Sequence, residues 1–395
     1  MAIEGKDGGK AGRRLRLGMV GGGQGAFIGG VHRIAARIDD RYQLVAGALS
    51  SDPARAKASA AELAIADDRA YGSFAEMAEA EGRRDDGIDV VAIVTPNHVH
   101  HAAAKTFLAN GIHVICDKPL TTSLEAALDL VAEVRRTGLV FALTHNYTGY
   151  PMVRQAREMV AAGELGEIRV IQAEYPQDWL TTKLEDQGMK QAEWRTDPAR
   201  SGPAGSTGDI GTHAFNLAAF MTGLGCEALA ADLTTFVAGR RLDDNAHILL
   251  RYKGGARGML WASQVAPGHE NSLKIRVYGS KGGLEWFQEQ PNHLHVAPLG
   301  QPPRLITRAG AGAGAAAAHA SRVPPGHPEG YLEGFAQIYT DTAELIAAKA
   351  ENRMPDAMAR LVPTVEDGAR GVKFIEAAVE SSRQNAAWVD ASLEL

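Results

Sequence analysis

A lysine at the end of an apolar strand is the first residue in this sequence whose setting could support chemistry. The apolar run 113–115 continues through Cys116 into Asp117-Lys118-Pro119. A lysine ammonium can hydrogen-bond a reacting oxygen and stabilise the negative charge that develops on it. A simple turn after a strand has the same pattern, so Lys118 needs support from elsewhere in the chain.

A second candidate lies further along, where Asp209 and His213 are four positions apart. On a helical turn, residues at this spacing face the same side. A histidine can take a proton near neutral pH, and a neighbouring carboxylate can orient it. A helix cap followed by a packed histidine would look the same. Together with a nucleotide loop, however, the pattern favours Lys118, Asp209 and His213 as catalytic residues.

A glycine-rich loop near the N-terminus predicts a dinucleotide site. The apolar strand 15–20 runs into the loop 21–29, and a helix is predicted from about 29 to 38. Glycines in such a loop allow a tight turn and a close approach of backbone to a pyrophosphate, and the helix N-terminus attracts the negative charge.

The loop matches the dinucleotide fingerprint in its first two places, which Gly21 and Gly23 fill. The third place is ambiguous, because Ala26 stands at the usual spacing while Gly25 and Gly29 flank it. The loop residues predicted to bind the cofactor are Gly21, Gly23, Gln24, Gly25, Ala26, Phe27 and Ile28.

The end of the second strand bears on the choice between the two nicotinamide cofactors. An acidic side chain there would bind the adenosine ribose hydroxyls and repel a 2′-phosphate. This chain has Ser50 and Ser51 instead, Arg55 lies within reach, and Asp52 could be only a helix cap. We therefore predict cofactor contacts from Ser50, Ser51 and Arg55, and either NAD or NADP as the cofactor.

These candidates need a framework, and the first half of the chain alternates strands with helices. Strands are predicted at 43–49, 88–94 and 140–144, with helical segments between them. Such alternation gives a parallel sheet with helices on both faces and ligands at the carboxyl ends of the strands. Thr95-Pro96-Asn97 and Asp117-Lys118 should therefore share one edge with the glycine loop.

The histidines beside this edge do not predict a metal site. His98, His100 and His101 are close in sequence, but no acid or cysteine completes a ligand set. The two cysteines, Cys116 and Cys226, lack the spacing of a disulfide framework or a zinc site. We expect a protein without a metal, in a reducing, cytoplasmic compartment.

The second half of the chain has a different pattern. After a long helix at 152–162, strand-like runs at 166–175, 246–252, 258–265 and 273–279 predict a largely antiparallel sheet. The predicted fold class is α/β, with an N-terminal Rossmann domain built on a doubly wound parallel sheet. A C-terminal α/β domain with a large, mostly antiparallel open sheet would follow it.

Composition limits the size and the partners of the protein. A chain of 395 residues, 45% hydrophobic and 22% charged, can form two domains. The net charge of −6 leaves no basic surplus for nucleic acid. No apolar run reaches the roughly 20 residues that span a membrane. The predicted divisions are a disordered leader, 1–14, a dinucleotide-binding domain, 15–148, and a substrate-binding and oligomerisation domain, 149–395.

Taken together, the motifs resemble one family. In chain order they are Val20-Gly21-Gly22-Gly23, Thr95-Pro96-Asn97 with His100, Asp117-Lys118-Pro119, Trp194-Arg195 and Asp209-x-x-x-His213. This set resembles the glucose-fructose oxidoreductase, inositol dehydrogenase and rhizopine-catabolism family, usually called Gfo/Idh/MocA, over about residues 15–283. The resemblance implies a Rossmann domain joined to an open-sheet domain that often forms the oligomer interface. A homo-oligomer, either a dimer or a tetramer, is therefore expected.

The resemblance also implies roles for single residues. Lys118 matches the lysine of the family's Glu-Lys-Pro motif, in which Asp117 replaces the glutamate here, and Asp209 and His213 match its Asp and His. The further residues that it implies for the cofactor are Thr95, Pro96, Asn97, His100, Asp117, Lys118 and Asn146.

Members of this family mostly oxidise or reduce sugars and cyclic polyols with NAD or NADP. The predicted function is therefore hydride transfer between the nicotinamide and a secondary hydroxyl of a sugar, glycoside or inositol-like polyol. His213 would accept the hydroxyl proton, Asp209 would orient His213 or hold a neighbouring hydroxyl, and Lys118 would stabilise the reacting oxygen. Two alternatives stay open: a glycoside-cleaving enzyme that uses transient oxidation and elimination, and a non-catalytic, nucleotide-sensing regulator.

The substrate side is predicted from aromatic and polar residues that suit a ring with several hydroxyls, although interface or core packing would explain them equally well. The Ala/Gly-rich run 309–320 is predicted to be a disordered loop or a cover for the site. His327, in the proline loop that follows, is a candidate for the sugar pocket. The predicted substrate-binding residues are Lys118, Tyr147, Trp179, Arg195, Asp209, His213 and His327, with Tyr150, Gln177, Asp178 and Trp194 in the same polar and aromatic stretches.

Overall fold

The computed structural model describes residues 13–395. Most of the predicted disordered leader, 1–14, therefore lies outside the described residues. Its last two residues are described, and both make ion pairs with the first domain. The Arg13 guanidinium donates to the Asp89 carboxylate at 2.7 and 2.8 Å, and the Arg14 guanidinium donates to Asp40 at 2.7 Å.

The first sheet has five strands, all parallel, in the order β2-β1-β3-β4-β5. This order reverses direction between β1 and β3, which is where α/β sheets bind ligands. The predicted parallel sheet is confirmed. Its strands are β1 (Leu15–Gly21), β2 (Tyr42–Ala48), β3 (Val90–Val94), β4 (His113–Cys116) and β5 (Phe141–Leu143). The helices between them are α1 (Phe27–Ile38), α2 (Pro53–Glu62), α3 (Phe74–Arg83), α4 (Asn97–Ala109) and α5 (Leu124–Thr137).

The second sheet has nine strands in the order β13-β12-β11-β10-β6-β9-β8-β7-β14. Only the β6–β9 pair is parallel within the described residues, so the predicted mostly antiparallel sheet is also confirmed. The strands are β6 (Ile168–Pro176), β7 (Cys226–Thr234), β8 (Asn245–Tyr252), β9 (Arg257–Ser263), β10 (Lys274–Gly279), β11 (Gly282–Phe287), β12 (His293–Pro298), β13 (Arg304–Thr307) and β14 (Val389–Asp390).

The remaining helices pack on both sheets. They are α6 (Pro151–Ala161), α7 (Lys190–Arg195), α8 (Pro198–Ser201), α9 (Thr212–Thr222), α10 (Ala315–Ala320), α11 (Tyr331–Ala350) and α12 (Val365–Arg383). The nine-stranded sheet buries one face, since Ile248 and Leu250 of β8 are buried while Leu249 between them is 53% exposed. No helix among residues 13–395 is both long and apolar enough to cross a membrane.

The long C-terminal helices return to the first sheet, although they follow the predicted domain boundary at 148. Phe335 and Tyr339 of α11 share one core with Leu17 and Met19 of β1. The start of α12, with Val365 at its first turn, packs in the core on the other face of the same sheet. The chain therefore uses its last helices to complete the dinucleotide-binding half.

The Ala/Gly-rich run 309–320 is neither disordered nor a cover for the cleft, and both predictions for it were wrong. Its second half forms α10, with Ala316, Ala317 and Ala320 buried. The Gly314 N–H donates to Gln155 Oε1 of α6 at 2.6 Å. Alanine has the highest helix propensity and a side chain of a single methyl group, so an alanine run can pack closely against another helix.

Candidate active site

A cleft of about 1260 Å³ opens between the two domains and collects most of the predicted site residues. The carboxyl ends of the first-domain strands form one wall, and strand ends of the nine-stranded sheet form the other. The predicted residues that line it are Gly21, Gly23, Gln24, Ala26, Phe27, Ile28, Ser50, Ser51, Arg55, Thr95, Pro96, Asn97, Asp117, Lys118, Asn146, Tyr147, Trp179, Arg195, Asp209 and His213. Gly25, His100 and His327 are not part of this lining.

Gly22 and Gly29 of the glycine loop face each other so closely that neither position has room for a side chain. A Cβ atom on Gly29 would lie 2.3 Å from the carbonyl oxygen of Gly22, and one on Gly22 would lie 2.9 Å from Gly29 Cα. Gly22 also has a φ of +71°, which L side chains rarely adopt. Gly29 therefore provides the close contact between helix and loop, and this resolves the ambiguity at the third fingerprint position.

The loop and α1 fit the pyrophosphate of a dinucleotide. No side chain hydrogen-bonds the first N–H groups of α1, whose N-cap is Ala26. Uncapped N–H groups and the helix dipole favour an anion at this end. At the end of β2, Ser50, Ser51 and Arg55 line the cleft. Asp52 accepts the Arg55 backbone N–H at 2.8 Å and so caps α2.

His100 lies behind the cleft wall and does not line the cleft, so its prediction as a cofactor contact was wrong. Its ring is fully buried, with Nδ1 2.9 Å from the Pro119 carbonyl oxygen and Nε2 2.9 Å from that of Thr95. The imidazole thus links the segments that follow β3 and β4. Its role in this structure is to hold the backbone next to Lys118 in place.

The lysine and the aspartate predicted from sequence meet in the cleft. Lys118 Nζ donates to the backbone carbonyl oxygen of Asp209 at 2.5 Å and to its Oδ1 at 2.9 Å. The other carboxylate oxygen, Oδ2, accepts from Arg195 Nε at 3.2 Å and from Gln264 Nε2 at 2.9 Å. Three side chains from separate segments therefore fix one carboxylate.

These donors keep Asp209 ionised. Burial alone would raise the pKa of the Asp209 carboxyl, but the charges of Lys118 and Arg195 outweigh burial and hold it well below its usual range. Arg195 itself is fixed by stacking, since its guanidinium carbon lies 4.2 Å from the Trp194 ring centroid. A permanently ionised carboxylate can position Lys118 but does not take up a proton near neutral pH.

His213 lies beside this group without a hydrogen bond to Asp209 among the described contacts. The carboxylate faces Lys118, Arg195 and Gln264 instead, so Asp209 does not orient His213 as the spacing predicted. Asp209 lies in a π-helical turn, Thr207–Gly211, and His213 lies in the first turn of α9 that follows it. Nδ1 of His213 is buried and has no hydrogen-bond partner among residues 13–395.

Aromatic rings surround the His213 imidazole and keep it neutral. The Tyr147 ring lies 4.9 Å from it and the His145 ring 5.5 Å, both edge-on. Burial, with the nearby Lys118 charge, lowers the pKa of His213 well below its ordinary value. The ring is therefore a free base at neutral pH, able to accept a proton but not to supply one.

The Asp117 carboxylate contacts Thr144 and His32, two buried side chains that the sequence did not predict as part of the site. Its Oδ1 accepts from Thr144 Oγ1 at 2.5 Å and lies 3.8 Å from Nε2 of His32. Nδ1 of His32 is 2.8 Å from the Tyr339 hydroxyl of α11. Burial would raise the pKa of Asp117, but His32 and Thr144 more than offset it, so the carboxyl pKa is lowered.

Other lining residues were absent from the predicted site because no local motif marks them. They come from the ends of strands and helices that meet only in the folded chain. For Tyr175 and Asn271 the only signal was a polar or aromatic residue at or near the end of a predicted strand. The lining residues that were missed include Tyr175, Glu270, Asn271, Gln288, Tyr331 and Phe335.

His327 does not reach the cleft in this chain. It is exposed, and its backbone carbonyl accepts a hydrogen bond from the Arg308 guanidinium at 2.5 Å. The structure thus gives no support to its predicted place in the sugar pocket. Asn97, by contrast, lines the cleft and also bridges the domains, since its Nδ2 donates to the Ser201 carbonyl oxygen at 2.8 Å.

Comparison with known proteins agrees with this architecture. Residues 15–145 match an oxidoreductase family with an NAD-binding Rossmann fold, and residues 153–285 match the GFO/IDH/MocA C-terminal domain. A crystal structure of an oxidoreductase from Sinorhizobium meliloti is 57% identical and superposes with a TM-score of 0.88, covering 95% of this chain and 99% of that one.

Two further relatives have names that describe their ligands or activity. An inositol dehydrogenase homolog from Azotobacter vinelandii, solved with NADH and myo-inositol, is 35% identical with a TM-score of 0.89, over 96% of this chain and 98% of that one. Levoglucosan dehydrogenase from Pseudarthrobacter phenanthrenivorans is 27% identical over 96% of this chain and 98% of its own length.

The two family matches cover both domains, and the relatives align over nearly their whole lengths. The five-stranded parallel sheet of the first domain agrees with the Rossmann fold that the first family match describes. The chain therefore belongs to the Gfo/Idh/MocA family and is an NAD-binding oxidoreductase.

Proposed function

We propose that this protein is an NAD- or NADP-dependent dehydrogenase that moves a hydride between the nicotinamide and a secondary hydroxyl of a sugar or cyclic polyol. One observation carries the proposal: Lys118, Asp209 and His213 meet in a cleft that also contains the glycine cradle. The names of the inositol dehydrogenase homolog and of levoglucosan dehydrogenase support the substrate class.

The cofactor would lie along the first-domain wall. The loop from Gly21 and the N-terminus of α1 would hold its pyrophosphate, with Ser50 and Arg55 at the adenosine end and Asp117 near the nicotinamide. When bound, the nicotinamide supplies the acceptor for the hydride. The protein's own residues must then bind the hydroxyl, move its proton and exclude water.

His213 is the proposed proton acceptor. It is neutral at physiological pH because burial and the nearby Lys118 charge lower its pKa. A neutral imidazole that touches the substrate hydroxyl can take its proton as the C–H bond breaks. The Tyr147 and Tyr175 rings flank the imidazole, and His213 is only 8% exposed.

Lys118 is the proposed binder of the reacting oxygen. An ammonium has three N–H donors, and two of those on Lys118 point to the backbone carbonyl and the carboxylate of Asp209. The third is then available to the substrate oxygen, where it stabilises negative charge as the proton leaves. Asp209 would act by holding Lys118 in this orientation.

The experiment is an absorbance assay for the reduced nicotinamide. Purified protein is mixed with NAD or NADP and a panel of inositols, pyranoses, anhydrosugars and glucosides, beside Lys118→Ala and His213→Ala. Cofactor reduction by the wild-type chain that is lost in both variants is the expected result. Tight NADH binding without reduction across the panel would contradict the proposal. Cleavage of a glycoside without net change in NADH would point to oxidation followed by elimination.

A further inference from the structure

Three amide side chains form a group on the cleft wall that faces the glycine loop, and the proposed mechanism uses none of them. Gln177 follows β6, Asn271 precedes β10 and Gln288 follows β11. These three strands are neighbours in the sheet and the pairs are antiparallel, so the amides meet at one end. All three line the cleft.

The amides form one hydrogen-bonded cluster. Asn271 Oδ1 accepts from Gln177 Nε2 at 2.6 Å and from the Tyr175 hydroxyl at 2.8 Å, while its Nδ2 donates to Gln288 Oε1 at 3.2 Å. Gln177 Oε1 in turn accepts from Trp179 Nε1 at 3.1 Å. The acceptor oxygens are thus engaged inside the cluster. The amide nitrogens of Gln177 and Asn271 each have a second N–H beyond these bonds.

Two tyrosines connect the amide cluster to His213, the proposed proton acceptor. The Tyr175 hydroxyl lies 2.5 Å from that of Tyr147, and the rings of Tyr147 and Tyr175 lie 4.9 and 6.2 Å from the His213 imidazole. A ring held with one carbon at His213 would therefore extend toward Asn271. Trp179 adds an aromatic surface beside the amides, and such surfaces pack against the C–H faces of rings.

The charges near the cluster favour a neutral ligand. The three amides carry no charge, and the Arg195 guanidinium is paired with Asp209. Glu270, beside Asn271, lines the cleft, is exposed and has no ion pair within residues 13–395. A substrate carboxylate bound at the amides would share the cleft with the Glu270 carboxylate, and like charges repel.

We propose that Gln177, Asn271 and Gln288 form the substrate-recognition site for a neutral, multiply hydroxylated ring and select against acidic sugars. The amide N–H groups donate to the hydroxyl oxygens away from the reacting carbon. The inference rests on the proposed function, since it assigns the residues that would hold the same polyol.

The test measures binding directly and does not depend on turnover. Protein saturated with NADH is titrated calorimetrically with myo-inositol, levoglucosan, methyl glucoside and D-glucuronate. The variants are Gln177→Leu and Asn271→Leu, which remove the amide but keep similar volume. Gln290→Leu is the matched control, because Gln290 is an exposed amide nearby that does not line the cleft.

We expect a neutral ring to bind the wild-type chain more tightly than glucuronate does. Each cleft variant should weaken that binding by about tenfold, the loss typical of one or two hydrogen bonds, with NADH affinity unchanged and the Gln290 variant like wild type. Glucuronate binding as tightly as every neutral ring, no binding of any neutral ring, or unchanged affinity in both cleft variants would each overturn the inference. Polyol binding without turnover would contradict only the proposed function.

Discussion

The two walls of the cleft are built in different ways. On the first-domain wall the surface is formed mainly by backbone atoms. Gly22 and Gly29 are in contact across the loop, and α1 presents uncapped N–H groups. On the second-domain wall, side chains such as Asn271 and Gln264 form hydrogen-bonded clusters. Backbone geometry suits a ligand that is the same throughout a family, while exchangeable side chains suit a ligand that differs between members.

This difference predicts that substitutions on the two walls have separate effects on cofactor binding and on turnover. The catalytic group joins them, because Lys118 comes from the first domain and Asp209 from the second. Changes on the glycine wall should affect cofactor affinity, and changes at the junction should affect turnover.

The largest effect is expected from Lys118→Ala. Loss of the ammonium removes the donor to the reacting oxygen, and removal of one such donor lowers turnover by roughly 10²- to 10³-fold. NADH affinity, measured by fluorescence titration, should stay within about threefold of wild type, a change well below one hydrogen bond. A variant that loses NADH binding together with turnover would place Lys118 in the cofactor site or in the fold.

A smaller but still large effect is expected from Gly29→Ala, this time on cofactor binding. The new Cβ would lie 2.3 Å from the Gly22 carbonyl oxygen, so the loop must move. We expect NADH affinity to fall on the order of 10²-fold, the value of one or two hydrogen bonds to a charged group.

Gly30→Ala is the matched control for the glycine wall. The nearest atom to its added Cβ is 4.0 Å away, at the end of the Arg33 side chain. NADH should bind this variant like wild type. Equal losses in the Gly29 and Gly30 variants would show that the damage comes from helix α1 as a whole and not from the contact between Gly22 and Gly29.

An intermediate effect is expected at Gln264, which donates to Asp209 from the end of β9. Gln264→Leu removes one of the three side-chain donors to the carboxylate and should lower kcat by about tenfold, the value of one charge-assisted hydrogen bond. Gln264→Glu should be worse, because it sets a second carboxylate against Asp209. Steady-state kinetics measure kcat for both variants, and NADH binding checks that each is folded. A smaller loss of kcat in Gln264→Glu than in Gln264→Leu would show that Gln264 does not act on the charge of Asp209.

The last expected effect concerns stability, and it depends on pH. Burial lowers the pKa of His145 to about 3, whereas an unfolded histidine titrates near its ordinary value. Below about pH 6.5 the unfolded chain binds the extra proton, so stability falls with decreasing pH by about 1.4 kcal/mol per pH unit for this residue. This loss of stability extends from the pKa of His145 in the unfolded chain, near pH 6.5, down to its pKa in the folded chain, about 3.

Denaturant unfolding at several pH values checks this expectation. His145→Gln should have a shallower loss between pH 6.5 and 5 than the wild-type chain. His295→Gln, a change at an exposed histidine of β12, should keep the wild-type slope. If stability changed with pH equally in all three proteins, the expectation that His145 takes up a proton only when the chain unfolds would be wrong.

The sequence predicted the first wall better than the second for a physical reason. The glycine loop, Lys118 and the strands before them follow short-range patterns, so a motif and a strand end were enough to place them at one edge. His32 was missed because its partner, Asp117, is distant in sequence and only α1 packing brings them together. Asn271 was missed because sheet order sets its neighbours.

Two further corrections have similar causes. The spacing of Asp209 and His213 predicted a pair, but the donors that decide where the carboxylate points come from other segments. The predicted domain boundary at 148 assigned α11 to the second domain, because the amphipathic pattern of a helix carries no information about which sheet it covers. Long-range packing therefore accounts for what local pattern could not predict.

The most direct test of hydride transfer in this cleft is an isotope experiment. The polyol that reduces the cofactor is supplied with deuterium on its carbinol carbons, and the nicotinamide is analysed by mass spectrometry after turnover by the wild-type chain. We expect one deuterium in each reduced nicotinamide, and none formed above background by His213→Ala. Reduced cofactor that carries no deuterium, or labelling that persists in His213→Ala, would contradict direct transfer from a carbinol whose proton His213 accepts.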